Sequence, residues 1–183
     1  GLGGGLLFVI LVVGSLRSRF GLPKLILTFG GILPAAMMLT GAVPWQNSGS
    51  PGLFLSLLVA AWSVILTALA LLIGRLAQVP NVIAAVAISV AAFTVDAALG
   101  AVMQAGSMLN SRPIFGLRWY GFGNVTFAAY ASTGLFLAGY LAHRFLTAGK
   151  RAAAIAAVGT IGFGIVLCEG WPSMGSDFGG IIA

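Results

Sequence analysis

Residues 105–124, AGSMLNSRPIFGLRWYGFGN, set two guanidinium groups (Arg112, Arg118) and two carboxamides (Asn110, Asn124) beside a Trp-Tyr pair and four glycines. Each guanidinium presents a planar fork of donors that matches a phosphate or a carboxylate. A helix expected to begin at Asn124, directly after Gly121-Phe122-Gly123, would add free backbone N–H groups and partial positive charge at its N-terminus. Glycines there let a ligand come close to the backbone. The chemistry this set can do is anion binding, with Arg112 and Arg118 holding the anion and Tyr120, Asn110 and Asn124 shaping the pocket. The competing reading leaves the arginines on lipid headgroups without specificity, or pairs them with Asp96 and Asp177, which is the usual fate of charges at a membrane boundary.

The chain has only three acids, Asp96, Glu169 and Asp177. Asp96 lies sixteen residues after Pro80, about 24 Å along a helix. Such a carboxylate needs a partner, either Arg118 or a place in a proton path. The pair is favoured, because a relay needs ionisable groups deeper in the membrane and the other half of every apolar run lacks them. Three carboxylates on one side could converge on a hard cation. Nothing in their spacing brings them together, and the single histidine, His143, falls on the opposite side, so no metal site is expected. Asp96, Glu169 and Asp177 are read instead as supporting polar groups that orient the arginines. No Ser/His/Asp or Cys/His arrangement can be assembled on one side, so no catalytic residue is assigned. Tyr120–Asn124 contains a GxG core, but no strand precedes it, so a dinucleotide fingerprint fails and no cofactor is expected. The single Cys168 sits in an apolar run and reads as a small buried hydrophobe.

These residues stand in a chain that water could not wet. Hydrophobic residues make up 60% and charged residues 7% of the sequence, whereas soluble domains carry roughly a quarter charged residues. The net charge of +6 would point to nucleic acid in a soluble protein. Here the basic residues lie in short loops between apolar runs, which is the topology signal of a membrane protein, and nucleic-acid binding is set aside. A span needs about 20 apolar residues. Apolar runs occur at 2–14, 22–44, 52–74, 80–103, 124–142 and 152–168, and a further one would begin near Phe178. They are apolar all round with no alternation, so helices are expected, not a barrel. The predicted fold is an all-α polytopic membrane bundle of six complete spans plus the start of a seventh, forming a single domain over 1–183. The missing initiator Met and the apolar close at FGGIIA lead us to expect a piece of a longer chain. Pro34 is expected to kink the second run, with neighbouring helices satisfying the freed carbonyl. Gly30 and Gly31, Gly134 with Ala138, and Gly159, Gly162 and Gly164 are expected to let helix backbones approach closely.

Seven of the nine Lys and Arg residues lie in the connections at 15–24, 75–79 and 143–151. The alternating connections, 45–51, 104–123 and 169–177, hold only Arg112 and Arg118. The positive-inside rule therefore predicts the first set in the cytoplasm and the second set extracytoplasmic, in an inner or plasma membrane. Trp45, Trp119 and Trp171 would anchor the outer boundary, and Tyr140 the inner one.

Four pieces, LPAAMMLTGAVPW (33–45), TVDAALG (94–100), RPIFGLRWYGFGN (112–124) and EGWPSMGSDFGG (169–180), together resemble a family of multispanning membrane proteins associated with actinobacteria. Arg118, Tyr120, Gly121, Gly123 and Asn124 match one motif of that family, and Asp177, Gly179 and Gly180 match another. Gln46 and Asn47 depart from its pattern, which has more aromatic or basic residues after Pro44-Trp45. Members are described as uncharacterised, and the membrane part often follows an extracytoplasmic domain similar to alkaline-phosphatase-type hydrolases. The resemblance thus implies an architecture and a site, with any hydrolysis belonging to a separate domain.

The leading expectation is a membrane domain that recognises an anionic, phosphate-bearing or glycan-bearing envelope lipid at the outer leaflet. The alternative is a non-catalytic scaffold subunit that docks on membrane protein partners through its small-residue faces. A lipid transporter or flippase is third, since it would need a polar path across the bundle.

Overall fold

The computed structural model describes residues 21–109 and 122–171. Among them the chain is helical, and five helices are long and apolar enough to cross a membrane. These are α1 (Leu22–Leu39), α2 (Pro51–Leu76), α3 (Asn81–Ala98), α5 (Asn124–Thr147) and α6 (Arg151–Gly170), with a short α4 (Val102–Gly106) between α3 and α5. The candidate spans run from 18 to 26 residues, about 27 to 39 Å at 1.5 Å per residue, against a hydrocarbon core of about 30 Å. The apolar runs at 2–14 and beyond Phe178 lie outside the described residues.

Prolines mark the starts. Pro23 and Pro51 occupy the first turns of α1 and α2, and Pro80 immediately precedes α3. A missing N–H costs nothing there, because the first-turn donors have no partner inside the helix. Arg75 and Arg144 fall in the last turns of α2 and α5, where cations complement the helix dipole.

Helices α1, α2 and α3 form one packed group around Ile32, Ala35, Ala36, Leu66, Ala70, Ala84 and Ala85. The alanines allow close approach of α1 and α3. A Cβ on Gly31 would stand 3.2 Å from Val86, and Ser89 Oγ donates to the Gly31 carbonyl at 2.7 Å. Pro34 does sit inside α1. The bond from the neighbouring helix goes to Gly31, one residue beyond the Gly30 carbonyl that a proline at 34 deprives of its usual donor.

Helices α5 and α6 form a hairpin, closed by the Gly149 turn (φ 72°) and tightened at Gly134, where an added Cβ would collide with the Ile165 side chain. Helix α3 joins the two groups. Phe93, Phe122 and Tyr130 meet there with ring centroids 5.7 to 6.2 Å apart, inside a second core that includes Met38, Ala97, Ile165 and Cys168. Of the glycines expected at helix contacts, Gly31 and Gly134 serve that way. For Gly30, Gly159, Gly162 and Gly164 no such contact is made among the described residues, where a Cβ on any of them meets nothing within 4 Å.

The outward faces are apolar. Leu53, Leu57, Val64, Ile65, Leu72 and Leu76 of α2 are all more than half exposed. A monomer in water does not carry such a continuous apolar strip, whereas lipid accommodates it without cost.

Candidate functional site

The polar chemistry of the described residues concentrates where α3 ends and α5 begins. The apolar run expected to continue to residue 103 stops as a helix at Ala98. Gly100 (φ 86°) and Ala101 (φ 59°) both take left-handed backbone, which breaks the helix and restarts it as α4 at Val102. Asp96 makes that restart possible. Its Oδ1 accepts the N–H of Met103 at 2.7 Å and its Oδ2 that of Gln104 at 3.0 Å, while its carbonyl accepts the N–H of Ala101 at 2.7 Å. Two of the four donors left open at the N-terminus of α4 are thereby satisfied by one carboxylate.

This changes the reading of Asp96. Asp96 is 2% exposed, and it serves as a cap supplied from the preceding helix. Arg118, the expected partner, lies outside the described residues, as do Asn110, Arg112, Tyr120 and Asp177. Among the described residues, the backbone amides of Met103 and Gln104 hold the Asp96 carboxylate.

Around this cap the chain is pinned three more times. Trp45 Nε1 and Gln46 Nε2 both donate to the Gly106 carbonyl, at 3.0 and 3.1 Å. The Met108 N–H donates to Thr40 Oγ1 at 3.0 Å. Gly41 lies so close to α4 that an added Cβ would overlap the Met103 carbonyl. This approach explains why α1 gives way to a tighter 3₁₀ turn at Thr40–Ala42 and does not continue to residue 44. Trp45 was expected as an interfacial anchor. It is 7% exposed and acts as a buried pin, whereas Trp171 is exposed and Trp119 lies outside the described residues.

Asn124 is the first residue of α5 and is exposed. Glu169, expected at the edge of a loop, lies in the last turn of α6 and is 1% exposed. It lines a cleft of about 230 Å³ with Phe127, Ala131 and Ile165. Cys168 beside it is buried, as a small apolar residue would be.

Two polar side chains at this end escape a reading from sequence, Gln104 and Thr126. Both are fully buried, and neither the Gln104 carboxamide nor Thr126 Oγ1 has a hydrogen-bond partner among the described residues. Gln104 Nε2 lies 3.9 Å from where a Cβ on Gly123 would stand, next to the open N–H groups of the first turn of α5. One helical turn below Thr126, the Tyr130 hydroxyl pairs with Thr94 Oγ1 at 2.8 Å. The signal for Gln104 was its place eight residues after Asp96 in an otherwise apolar stretch.

Helix order and composition define the class: a multi-pass helical membrane protein, with five candidate spans among the described residues. Comparison of the chain with protein-family models, with curated proteins and with solved structures finds no match.

Proposed function

We propose that this domain binds an anionic lipid headgroup at the end of the bundle that carries Asp96, with Arg112 and Arg118 as the anion-holding groups. One observation carries the reading. Leu109 and Phe122, the residues that flank 110–121, are both buried in the same core, so the two ends of that segment meet at one place. That place adjoins the Gln104 carboxamide and the first turn of α5. The Gln104 carboxamide and the Thr126 hydroxyl have no partner among the described residues, buried groups of this kind are costly until something satisfies them, and phosphate or glycan oxygens have the acceptors that the Gln104 amide and the α5 N–H groups require. Asp96 does not oppose an anion here as a bare charge would, because two backbone N–H groups already share its charge.

The resemblance noted from the sequence points the same way, since Arg118, Tyr120, Gly121, Gly123 and Asn124 match one motif of that family. The site would face the outer leaflet of the cell envelope, and hydrolysis would fall to a separate domain. The test is lipid co-purification read by mass spectrometry for the parent protein and Arg118→Ala. Loss of bound anionic lipid from the variant is expected, and equal retention in both would sink the reading.

A scaffold role is favoured by a different observation. Gly159 and Gly162, three residues apart on α6, have no neighbour within 4 Å of an added Cβ among the described residues, so this face would suit close approach by a helix of another protein. Native-gel migration of the membrane extract distinguishes the two: a scaffold subunit runs within a larger assembly.

A further inference from the structure

The end of the bundle opposite Asp96 carries a composite cleft that the reading above does not use. Between α1, α3 and α5 lies an apolar trough of about 630 Å³, lined by residues that include Ile26, Phe29, Gly30, Val86 and Phe136. A second cleft of about 510 Å³ is lined by Lys24, Thr28, Pro80 and Asn81 among others. The two share Leu27 and Val82, so they adjoin, and the more polar one sits where α1 and α3 begin.

The trough is apolar in its chemistry as well as its composition. Its two hydroxyls are turned back on α5, Ser132 Oγ donating to the Ala128 carbonyl at 2.6 Å and Thr133 Oγ1 to the Ala129 carbonyl at 2.7 Å. The adjacent glycines divide the work. Gly31 is used for packing against Val86, whereas a Cβ on Gly30 would meet nothing within 4 Å among the described residues. Among the described residues, Gly30 therefore leaves the trough open and supports no helix contact.

At the mouth, Lys24 is exposed. The described carboxylates, Asp96 and Glu169, lie at the far end, Asp96 fifteen residues beyond Asn81 on α3, about 22 Å away along the axis. Neither neutralises the Lys24 ammonium. A cation and a carboxamide thus line the cleft that adjoins the apolar trough, which matches the order of charge and apolarity in an amphiphile. We propose that this cleft holds one anionic phospholipid from the leaflet on the Lys24 side, its phosphate on Lys24 and Asn81 and one acyl chain in the trough past Gly30. The site is independent of Arg112 and Arg118.

The test uses the whole chain, reconstituted in vesicles of phosphatidylcholine and phosphatidylglycerol, re-extracted in mild detergent and examined by native mass spectrometry. The parent should retain phosphatidylglycerol in preference to phosphatidylcholine by about fivefold, the effect of one basic residue near an anionic surface. Lys24→Ala should bring retention to the bulk lipid ratio. Gly30→Leu should lose the bound lipid whichever headgroup it carries. Gly139→Leu, at another exposed glycine whose added Cβ meets nothing within 4 Å, should retain it. Should Gly30→Leu fail to fold, Gly30→Cys alkylated after purification with a bulky apolar maleimide gives the same readout. The proposal is overturned if the blocked trough retains lipid as the parent does, or if Lys24→Ala keeps the anionic preference. It is also overturned if Gly30→Cys cross-links to residues 2–14, which would assign the trough to the chain's own apolar segment. Arg118→Ala should leave this lipid in place, so a failure of either site is read separately.

Discussion

The carboxylate of Asp96 accepts the backbone N–H of Met103 at 2.7 Å, reaching across a left-handed break to cap a helix it does not belong to. That contact, with its twin to Gln104, turns the end of α3 into a fixed cap and not a frayed terminus. Substituting Asp96 by Ala should lower stability by about 1–2 kcal/mol, the usual cost of removing a helix cap. Asp96→Asn, which keeps one acceptor, should cost less. Thermal unfolding in detergent checks the order, and hydrogen exchange at Met103 and Gln104 should accelerate in both variants. Unchanged exchange would mean that the cap is dispensable.

Gly41 faces the Met103 carbonyl with no room for a Cβ. Gly41→Ala must push α4 away from the 3₁₀ turn, and overpacking of this kind costs about 1–3 kcal/mol. Gly49→Ala, in open space on the same connection, serves as the control and should unfold at the parent's temperature.

Tyr130 and Thr94 share a 2.8 Å hydrogen bond in the seam between α3 and α5. Tyr130→Phe and Thr94→Val should each cost about 1 kcal/mol, the net worth of one such bond. The double variant should cost less than the sum, because either single change already removes the contact. Full additivity in unfolding midpoints would show that the two hydroxyls are not coupled.

The α5–α6 hairpin depends on the absence of a side chain at Gly134, whose Cβ would strike Ile165. Gly134→Leu should separate the two helices. Cysteine pairs placed across that contact should then lose their cross-linking yield, while the same pairs in a Gly139→Leu background should keep it.

Much of this architecture is legible in the order of residues alone. The runs at 52–74, 124–142 and 152–168 appear as α2, α5 and α6 with ends displaced by only a few residues, because a lipid-facing helix must be apolar on every side and ends where polar or turn-forming residues begin. The burial of Cys168 follows from the same apolar context. The runs 22–44 and 80–103 were less faithfully read, since their helices end at Leu39 and Ala98. Hydropathy does not register those endings: Leu99, Ala101, Val102 and Met103 are as apolar as the helix before them. What stops α3 is the left-handed backbone at Gly100 and Ala101, together with a carboxylate placed to receive the N–H groups that follow.

The sequence by itself determined that the chain is helical, with runs long and apolar enough to cross a membrane, and roughly where the five described ones lie, since those properties depend on composition along a single segment. Only the tertiary structure decided that Asp96 caps α4, that Trp45 is buried on Gly106, that Gln104 faces the start of α5, and that Gly31 packs while Gly30 leaves a trough. Each of these depends on the distance between groups far apart in the chain, and that distance is fixed by how close two backbones come, which no local run of residues encodes.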